Sequence, residues 1–370
     1  MRNRLVLVLT GLGILILGAR APLALARDVP REISSVDRVR KTSVRGGLRF
    51  LASAQHRDGS WGSKARVGVT SLCLLALLAQ GEQLGRGPHG RTIERGVRYL
   101  LRCSLPPTKS NLLRSPEPGK PSGYIWGGQA DSDSRMHGHG YATQVLCLVY
   151  GTGVRSVLLR DQLRLKIRRA VRVIEDAQTF TGGWGYEPSY STAHEGSITV
   201  TVVQALRLAR DVGFVVDKEV HLRGLKYLKE SQKPDGSFRY SLTRSDTTAA
   251  LTAAALCAMH GFAEYSSEIT RSALAYLRGR HRRARELPWP YYGLYYAAQV
   301  YYRTGGAEWN HWTTTWVPYL LARAQRTREG LVYWDDSDRG RDRSQGRAYA
   351  TALACLSLSV PDGLLPLFRK

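Results

Sequence analysis

The amino-acid sequence predicts an all-α protein of the α6/α6 toroid class, in which six helical hairpins form two concentric layers. Three observations predict this fold: a short motif that recurs along the chain, helices of two alternating amphipathic types, and a count of six helix pairs. The chain has 370 residues, of which 43% are hydrophobic, so it can bury a large core. Because it contains only five cysteines, we expect packing rather than a disulfide framework to hold that core.

The recurring motif consists of a glutamine, a glycine four residues later and an aromatic residue six residues after the glutamine. Its glutamine and aromatic positions are Gln55 with Trp61, Gln178 with Trp184, Gln232 with Phe238 and, at a looser spacing, Gln325 with Trp334. We interpret these residues as structural. The aromatic side chain is expected to pack between the end of one helix and the next helix, and the glutamine amide to bond backbone groups left open there.

Two types of helix alternate around the motif. Before Gln178, apolar residues between Leu163 and Ala177 recur at intervals of three and four, which produces a single buried face. The segment 249–259 is instead apolar nearly all round, and a helix without a polar face must be covered on every side. Two concentric layers meet the burial requirements of both types, with the amphipathic helices on the outside and the uniformly apolar helices on the inside.

The predicted helices form six pairs. Outer helices are expected near 41–55, 91–103, 161–178, 217–232, 267–279 and 312–325, and inner helices near 66–80, 138–150, 196–211, 246–261, 291–303 and 346–358. Six hairpins can close into a ring in which the first pair packs on the last, so no end is left exposed. We therefore predict one toroid domain over residues 41–370, with a Pro-, Ser- and Gly-rich insertion near 104–135.

The amino terminus has the pattern of a secretory signal. Residues 1–26 contain a basic start, an apolar stretch over 5–19 and small residues at Ala24 and Ala26. We expect cleavage near Ala26, export of the mature protein and a linker over 27–40. Retention of the segment as an uncleaved anchor is the alternative. The five cysteines lie within or at the end of apolar helical stretches and are expected to be free, buried thiols.

The Gln-x-x-x-Gly-x-Trp repeats resemble the QW motifs of squalene and oxidosqualene cyclases and the repeats of protein prenyltransferase β subunits. Segments 136–143, 182–186, 198–202 and 291–299 are similar to exported bacterial prenyltransferase and squalene oxidase repeat proteins of planctomycete type. The resemblance covers nearly the whole chain after the signal segment. It implies a terpenoid cyclase-like α/α toroid whose central cavity binds an apolar or isoprenoid-like ligand.

The catalytic motifs of these families are missing. Cyclases that protonate an alkene carry an Asp-x-Asp-Asp-Thr-Ala motif at the start of an inner helix. The segment of this chain that is most similar to the motif, 243–248, has Ser245 in the place of the proton donor. Asp246 alone is retained, as a possible catalytic acid or as the cap of its helix. No Asp-x-Cys zinc pair of the prenyltransferases is present, so neither established chemistry is expected, and no cofactor is expected.

The ring topology places the starts of the inner helices around one mouth of the cavity. The residues expected to line this mouth are His137, His139, His194, Glu195, Tyr292, Tyr295, Arg347 and Tyr349. Three histidines and a glutamate suit zinc, but capping or loop packing accounts for them as well, and we expect no metal. The acidic segments that begin at Asp131 and Asp335 lack the ordered spacing of a calcium loop and are expected to be solvated.

Composition adds one further constraint. The chain carries 54 Lys and Arg against 30 Asp and Glu, a net charge of +24, which favours anionic partners. No phosphate loop or nucleic-acid module is present, so we expect no specific nucleic acid.

Three functional hypotheses follow. The preferred one is an exported toroid that binds an apolar or isoprenoid-like ligand without the established cyclase or prenyltransferase chemistry. The second is a non-catalytic cell-envelope scaffold that binds anionic polymers or lipids. The third is a toroid polysaccharide lyase that would use Arg347, Tyr292 or Tyr349.

Overall fold

The computed structural model describes residues 35–106, 121–128, 131, 134–280, 289–335 and 345–368. The helices of this part of the chain are α1 Ser35–Ser53, α2 Arg66–Leu78, α3 Gly90–Cys103, α4 Arg135–Gly151, α5 Val157–Asp176, α6 Gly196–Asp211, α7 Lys218–Glu230, α8 Ala249–Gly261, α9 Glu268–Arg280, α10 Pro290–Thr304, α11 Gly306–His311, α12 Val317–Ala322 and α13 Gly346–Ser359. Strands β1 (Gln325–Arg326) and β2 (Val332–Tyr333) form a short antiparallel pair. The predicted all-α class is therefore confirmed.

The six inner helices form a closed ring. Helices α2, α4, α6, α8, α10 and α13 each pack on the next, and α13 packs on α2. Helix α8 shows why these helices lie inside: every residue from Ala249 to His260 is buried, since its sequence offers no polar face. The closed contact between α13 and α2 excludes an open superhelix.

The outer helices bury one face each against this ring. Helix α5 buries Leu163, Ile167, Ala170, Val171 and Ile174, the residues whose spacing predicted the face. Helix α1 packs on α13 and also contacts α12, so the outer layer closes across the two ends of the described chain. None of the described helices combines the length and hydrophobicity required to cross a lipid bilayer.

Residues 35–40, placed in the predicted linker, form the first turns of α1. Arg40 is buried there, and its guanidinium donates to the Asp362 carboxylate at 2.8 and 3.0 Å. This ion pair joins the first outer helix to the segment after α13. The predicted signal segment, 1–26, lies outside the described residues.

The sixth outer helix differs most from its prediction. Instead of one helix over 312–325, the chain forms α11, a π-helical turn at Trp312–Trp316 and α12. Pro318 lies in the first turn of α12 and has no N–H to donate to a preceding carbonyl, which accounts for the irregular turn before it. Trp312 and Trp316 are nonetheless fully buried against the ring.

The motif glutamines form the same hydrogen bonds at three corners between outer and inner helices, and at two of these corners the indole of the motif tryptophan adds a further bond. The Gln178 amide donates to the carbonyls of Gly182 and Val220, both at 2.8 Å. The Trp184 indole donates to the Ile174 carbonyl at 2.7 Å, which ties the turn to the end of α5. Gln55, Gln232 and Trp61 repeat these contacts.

The fourth corner departs from this pattern. Gln325 is exposed and pairs through its backbone in β1 with Tyr333. Its side chain therefore does not form the bonds to backbone carbonyls that the repeat predicted. Trp334 does form the expected contact: its indole donates to the Leu320 carbonyl at 2.8 Å, as the other motif tryptophans do at their corners.

A threonine of the following inner helix completes each of the four motif corners, a contact that the sequence pattern did not predict. In each case the backbone N–H of the motif aromatic donates to a threonine hydroxyl oxygen. The pairs are Trp61 with Thr70 at 2.9 Å, Trp184 with Thr199 at 3.1 Å, Phe238 with Thr252 at 3.1 Å and Trp334 with Thr351 at 3.0 Å. The five cysteines are free, and all but the half-buried Cys103 are buried.

Candidate ligand chamber

A chamber of about 260 Å³ lies at the amino-terminal end of the inner ring. All six inner helices contribute residues from their first two turns or from the segments that precede them. The lining residues are Ala65, Gly68, Val69, Leu72, Ser134, His137, Gly138, Tyr141, Tyr186, Ser197, Tyr240, Leu251, Trp289, Tyr292, Gln345 and Tyr349. The chamber is therefore at the end of the ring where the sequence analysis placed the site.

Aromatic and aliphatic side chains dominate this lining. Five tyrosines, one tryptophan and three branched aliphatic residues line it, and the non-phenolic polar side chains are Ser134, His137, Ser197 and Gln345. The described lining residues include no aspartate, glutamate, lysine or arginine. Such a surface suits a mainly apolar ligand that is oriented by few polar contacts.

Tyrosines of α10 fill the centre of the ring beyond the chamber. The Tyr296 hydroxyl lies 3.0 Å from that of Tyr141, and the Tyr296 ring packs against Tyr292 and Tyr295 at 4.9 and 4.8 Å. Tyr295, predicted to line the mouth, belongs to this buried cluster and not to the chamber wall.

Glycines explain the spacing around His137. A Cβ atom on Gly138 would lie 2.6 Å from Ser134 Cβ and 3.2 Å from the Gly68 nitrogen, so α2 and α4 approach closely only without it. On the other side of α4, a Cβ on Gly140 would lie 2.8 Å from a methyl of Thr201. The His-Gly-His sequence is thus a packing pattern between neighbouring inner helices.

His137 faces the chamber from α4 and is held by two hydroxyls of α6. Its Nε2 lies 3.0 Å from Ser197 Oγ, and its Nδ1 lies 3.2 Å from Thr201 Oγ1. Its ring stacks on Tyr141 and meets Tyr186 edge-on. Burial among these groups lowers the pKa of His137 to about 4, so the imidazole is neutral at ordinary pH.

Glu195 lies directly behind Ser197. Its Oε2 accepts from the Ile198 N–H at 2.9 Å, which caps α6, and lies 2.5 Å from Ser197 Oγ. Its Oε1 is buried and has no hydrogen-bond partner among the described residues. Burial raises the pKa of the Glu195 carboxyl, and the hydrogen bonds from Ser197 and Ile198 only partly offset this effect.

The two other predicted histidines do not face the chamber. His139 is fully buried between α4 and α5, where Nδ1 accepts from the Ile125 N–H at 3.0 Å and Nε2 donates to the Ala170 carbonyl at 3.1 Å. His194 Nδ1 lies 3.0 Å from the Tyr227 hydroxyl. The structure therefore does not bring the predicted histidines and Glu195 together as one set of metal ligands.

Asp246 and Arg347 also lie away from the chamber wall. The Asp246 carboxylate is exposed and pairs with Arg244 at 2.8 and 2.9 Å, while Thr248 caps α8 by accepting from the Leu251 N–H at 3.1 Å. Asp246 is thus neither the helix cap nor a cavity acid in this structure. Arg347 is exposed, and its Nε donates to Asp335 at 2.8 Å.

Sequence reasoning missed several chamber residues because no periodic pattern marks them. Tyr186, Tyr240 and Trp289 lie in the segments before inner helices and enter the chamber only through the ring geometry. Trp289 has a left-handed backbone with φ of 57°, an unusual conformation for a bulky residue and one that often marks functional sites.

The environment of Asp131 differs from its prediction. It was expected in a solvated acidic loop, but it is fully buried and accepts from the N–H groups of Val67 and Gly127 at 2.9 and 3.1 Å. Its Oδ1 also accepts from the Ser134 hydroxyl at 2.6 Å. The segment before α4 therefore caps α2 beside the chamber. Most of the predicted insertion, 104–135, lies outside the described residues.

Solved structures with the same architecture match most of this chain. A variant of the type II terpene cyclase MstE from Scytonema, in complex with its substrate geranylgeranyl dihydroxybenzoate, has 14% identity and a TM-score of 0.55, covering 89% of this chain and 98% of that one. The α-1,6-mannanase GH76A of Salegentibacter sp. HEL1_6 has 8% identity and a TM-score of 0.61, covering 89% and 99%. A protein from Actinoplanes has 14% identity and a TM-score of 0.55, covering 86% and 98%.

These likenesses confirm the α/α toroid fold and the resemblance to cyclase-like toroids. No protein-family model matches the chain, and no curated protein matches it. Because the sequence identities are below 15%, these similarities establish the fold but not the reaction or the ligand.

Proposed function

We propose that this protein is exported and binds an apolar, isoprenoid-like ligand in its central chamber, without the established cyclase or prenyltransferase chemistry. The observation that carries the proposal is the lining, in which all six inner helices take part: most of its side chains are aromatic or aliphatic, with a few polar groups around His137 and Ser197. Export rests on the predicted signal over residues 1–26.

The size of the chamber limits the ligand. A volume of about 260 Å³ holds on the order of nine groups the size of a water molecule, at about 30 Å³ each, or about two isoprene units. Burial of each CH₂ contributes about 0.8 kcal/mol, so this part contributes roughly 7 kcal/mol before the cost of association. We therefore expect affinities no tighter than micromolar, with the rest of a longer chain at the mouth.

The structural neighbours suggest two ligand classes, and the lining distinguishes them. The terpene cyclase was solved with geranylgeranyl dihydroxybenzoate and the mannanase with α-1,6-mannotriose. A sugar presents several hydroxyls that need partners, and it is usually held by charged side chains as well as aromatic rings. The described chamber wall offers no charged side chain, which favours the isoprenoid class.

The exposed position of Asp246 supports the absence of the established cyclase chemistry. Its carboxylate is exposed, pairs with Arg244 and lies outside the chamber lining, so it is not placed to give a proton to an alkene held in the chamber. The lyase hypothesis also loses support. Tyr292 and Tyr349 line the chamber, but Arg347 pairs with Asp335 and is not part of the lining, so the proposed arginine and tyrosines do not face one site.

Native mass spectrometry of the protein with geraniol, farnesol, squalene and α-1,6-mannotriose tests the proposal. We expect geraniol and farnesol to bind at micromolar concentration and the trisaccharide not to bind. Leu72→Trp, which fills the chamber, is expected to lower prenol affinity at least tenfold, whereas Leu158→Trp on the exposed face of α5 is the matched control and should not.

Tyr349→Ala provides a second variant in the opposite direction. Removal of this half-buried ring enlarges the chamber and should raise the affinity for farnesol relative to geraniol. Equal prenol binding by all variants, or binding of the trisaccharide alone, would overturn the isoprenoid assignment.

We also propose a second function, the binding of an anionic polymer by the exterior, because one outer helix carries an unusual basic stripe. Arg160, Arg164 and Arg168 are exposed at successive four-residue intervals on α5, and no ion pair within the described residues involves them. Like charges at this spacing destabilise a helix by a few tenths of a kcal/mol per pair, so a partner that neutralises them would be favoured.

Polygalacturonate binding measured at increasing salt tests this stripe. Replacement of the three arginines by glutamine should weaken binding and reduce its salt dependence. The matched control replaces Arg98, Lys226 and Arg271, which are exposed on the outer helices α3, α7 and α9 and are already paired with acids of their own helix. Equal losses in both triple variants would indicate net charge alone and overturn the assignment to α5.

A further inference from the structure

Glu195, Ser197 and His137 form a hydrogen-bonded chain at the chamber wall. Ser197 Oγ lies 2.5 Å from Glu195 Oε2 on one side and 3.0 Å from His137 Nε2 on the other. A serine hydroxyl has one proton and can donate it to only one of them. The direction of the chain therefore depends on where the other protons are.

Thr201 sets the tautomer of His137. The Thr201 hydroxyl donates to the Ser197 carbonyl at 2.9 Å, so its oxygen is available to accept from His137 Nδ1–H at 3.2 Å. A neutral imidazole with its proton on Nδ1 presents the Nε2 lone pair to Ser197. The Ser197 hydroxyl then has two acceptors, Glu195 Oε2 at 2.5 Å and His137 Nε2 at 3.0 Å, and it turns to His137 when Glu195 carries a proton.

We propose that Ser197 is a nucleophile, with His137 as its base, and that the chamber hydrolyses esters of apolar alcohols or acids. Both side chains line the chamber, so an ester held there reaches both. A serine oxygen and an imidazole nitrogen at hydrogen-bond distance, with the second nitrogen oriented by a third group, form the arrangement that activates a serine. This inference rests on the proposed binding of an apolar ligand.

The reaction balances with the groups present. Ser197 Oγ attacks the ester carbonyl carbon, and its proton passes to His137 Nε2. The carbon–oxygen bond to the alcohol breaks, and that alcohol leaves with the proton from Nε2. Water then attacks the acyl-serine, gives one proton to His137 and releases the acid, after which His137 returns the proton to Ser197. The sum is ester plus water to acid plus alcohol.

A donor for the developing oxyanion is also present. The Tyr292 hydroxyl belongs to a chamber-lining residue and is buried without a hydrogen-bond partner among the described residues. Ser197 lies in the first turn of α6, a helix of 16 residues whose amino-terminal end favours negative charge. An unpaired donor and a helix start thus occupy the same chamber as the Ser197–His137 pair.

Covalent labelling provides the direct test. A long-chain alkyl fluorophosphonate should add one adduct to the protein, mapped to Ser197, and farnesol should slow the labelling. Ser197→Ala should abolish the adduct, while Ser191→Ala, a serine of the preceding loop whose hydroxyl bonds the Ala193 carbonyl, should label like the wild type. An adduct at another residue, or none, overturns the proposal.

Turnover separates the roles of the residues. Hydrolysis of p-nitrophenyl esters should increase with acyl length up to about ten carbons, as expected for the chamber volume, and fall by about 10²–10⁴-fold in His137→Asn. Thr201 is a positioning residue, so Thr201→Val should lower kcat with KM unchanged, and Thr201→Ser should restore it. Retention of full activity in Thr201→Val would contradict the assigned tautomer.

Failure of this proposal is distinguishable from failure of the proposed function. If prenols bind the wild type and Ser197→Ala equally but the fluorophosphonate does not react, the chamber is a binding site without this chemistry. If neither prenols nor the reagent bind, the ligand assignment fails as well. Thermal unfolding of each variant shows whether a loss reflects folding instead.

Discussion

The backbone N–H of Trp184 donates to the hydroxyl oxygen of Thr199 across 3.1 Å and joins a corner motif to the inner helix that follows it. Thr199 in turn donates to the Glu195 carbonyl at 2.9 Å, so one hydroxyl connects the turn, the cap of α6 and its first turn. Glu195 and Ser197 lie in this same segment. The corner that stabilises the toroid therefore also positions the chamber wall.

Replacement of Thr199 by valine tests this connection. The variant keeps the shape of the side chain but leaves the buried Trp184 N–H without its acceptor, which should lower the free energy of unfolding by about 1–3 kcal/mol. Thr143→Val is the matched control. Thr143 is also fully buried, but its hydroxyl only donates to the His139 carbonyl of its own helix, so its loss should be nearly neutral. Equal effects in urea denaturation would contradict the prediction.

The glutamines of the corner motif provide a second comparison. Gln178→Met removes two donated bonds to the carbonyls of Gly182 and Val220 while keeping most of the side-chain volume, and should cost about 1–3 kcal/mol. Gln325→Met should change stability by no more than about 0.5 kcal/mol, since that side chain is exposed. Thermal unfolding of both variants measures the difference. A large effect at Gln325 would show that the fourth corner also depends on its glutamine.

Periodicity predicted the fold well because burial in a ring depends on pattern rather than on individual contacts. The apolar positions of α5 and the uniformly apolar α8 were sufficient to assign the outer and inner layers. The corner threonines were missed because threonine is common in helices, and its acceptor role requires knowledge of the neighbouring turn. The π-helical turn at Trp312–Trp316 depends on one proline within an otherwise regular pattern.

The site was predicted less completely for a related reason. Position in the ring identified His137, Tyr292 and Tyr349 as chamber residues, but side-chain direction was not available from the sequence. His139 lies two residues after His137 and so points to the opposite side of α4, toward α5. Glu195 lies behind Ser197 rather than at the wall, and Ser197 itself carried no sequence signal beyond its place near a helix start.

Two aspartates, one predicted to be solvated and one nominated as a catalytic acid, are expected to behave in opposite ways. Asp131→Ala leaves the buried N–H groups of Val67 and Gly127 without an acceptor and should destabilise the protein by about 1–3 kcal/mol. Asp246→Ala removes only an exposed pair with Arg244 and should change stability by no more than about 0.5 kcal/mol. Asp246→Ala should also leave prenol binding unchanged. If native mass spectrometry showed that this variant no longer binds prenols, Asp246 would be part of the binding site.

Buried neutral histidines should make the toroid sensitive to acid. Burial lowers the pKa of His139 to about 4, against an ordinary value of 6.5, so the unfolded chain binds more protons between these values. The contribution of His139 to stability is therefore complete above pH 6.5 and is lost as the pH falls toward 4, by about 3 kcal/mol. Protonation of Nδ1 would also break the bond from the Ile125 N–H.

His139→Phe isolates this contribution. The variant should be less stable than the wild type at pH 7, because the Ile125 N–H and the Ala170 carbonyl lose their partner. Its free energy of unfolding should nevertheless fall less steeply between pH 6.5 and 4, by about one proton in the slope. His137, His221 and His260 have pKa values lowered to about 4 by the same cause and maintain the remaining slope. An unchanged slope in urea denaturation across this range would show that His139 is not held neutral by burial.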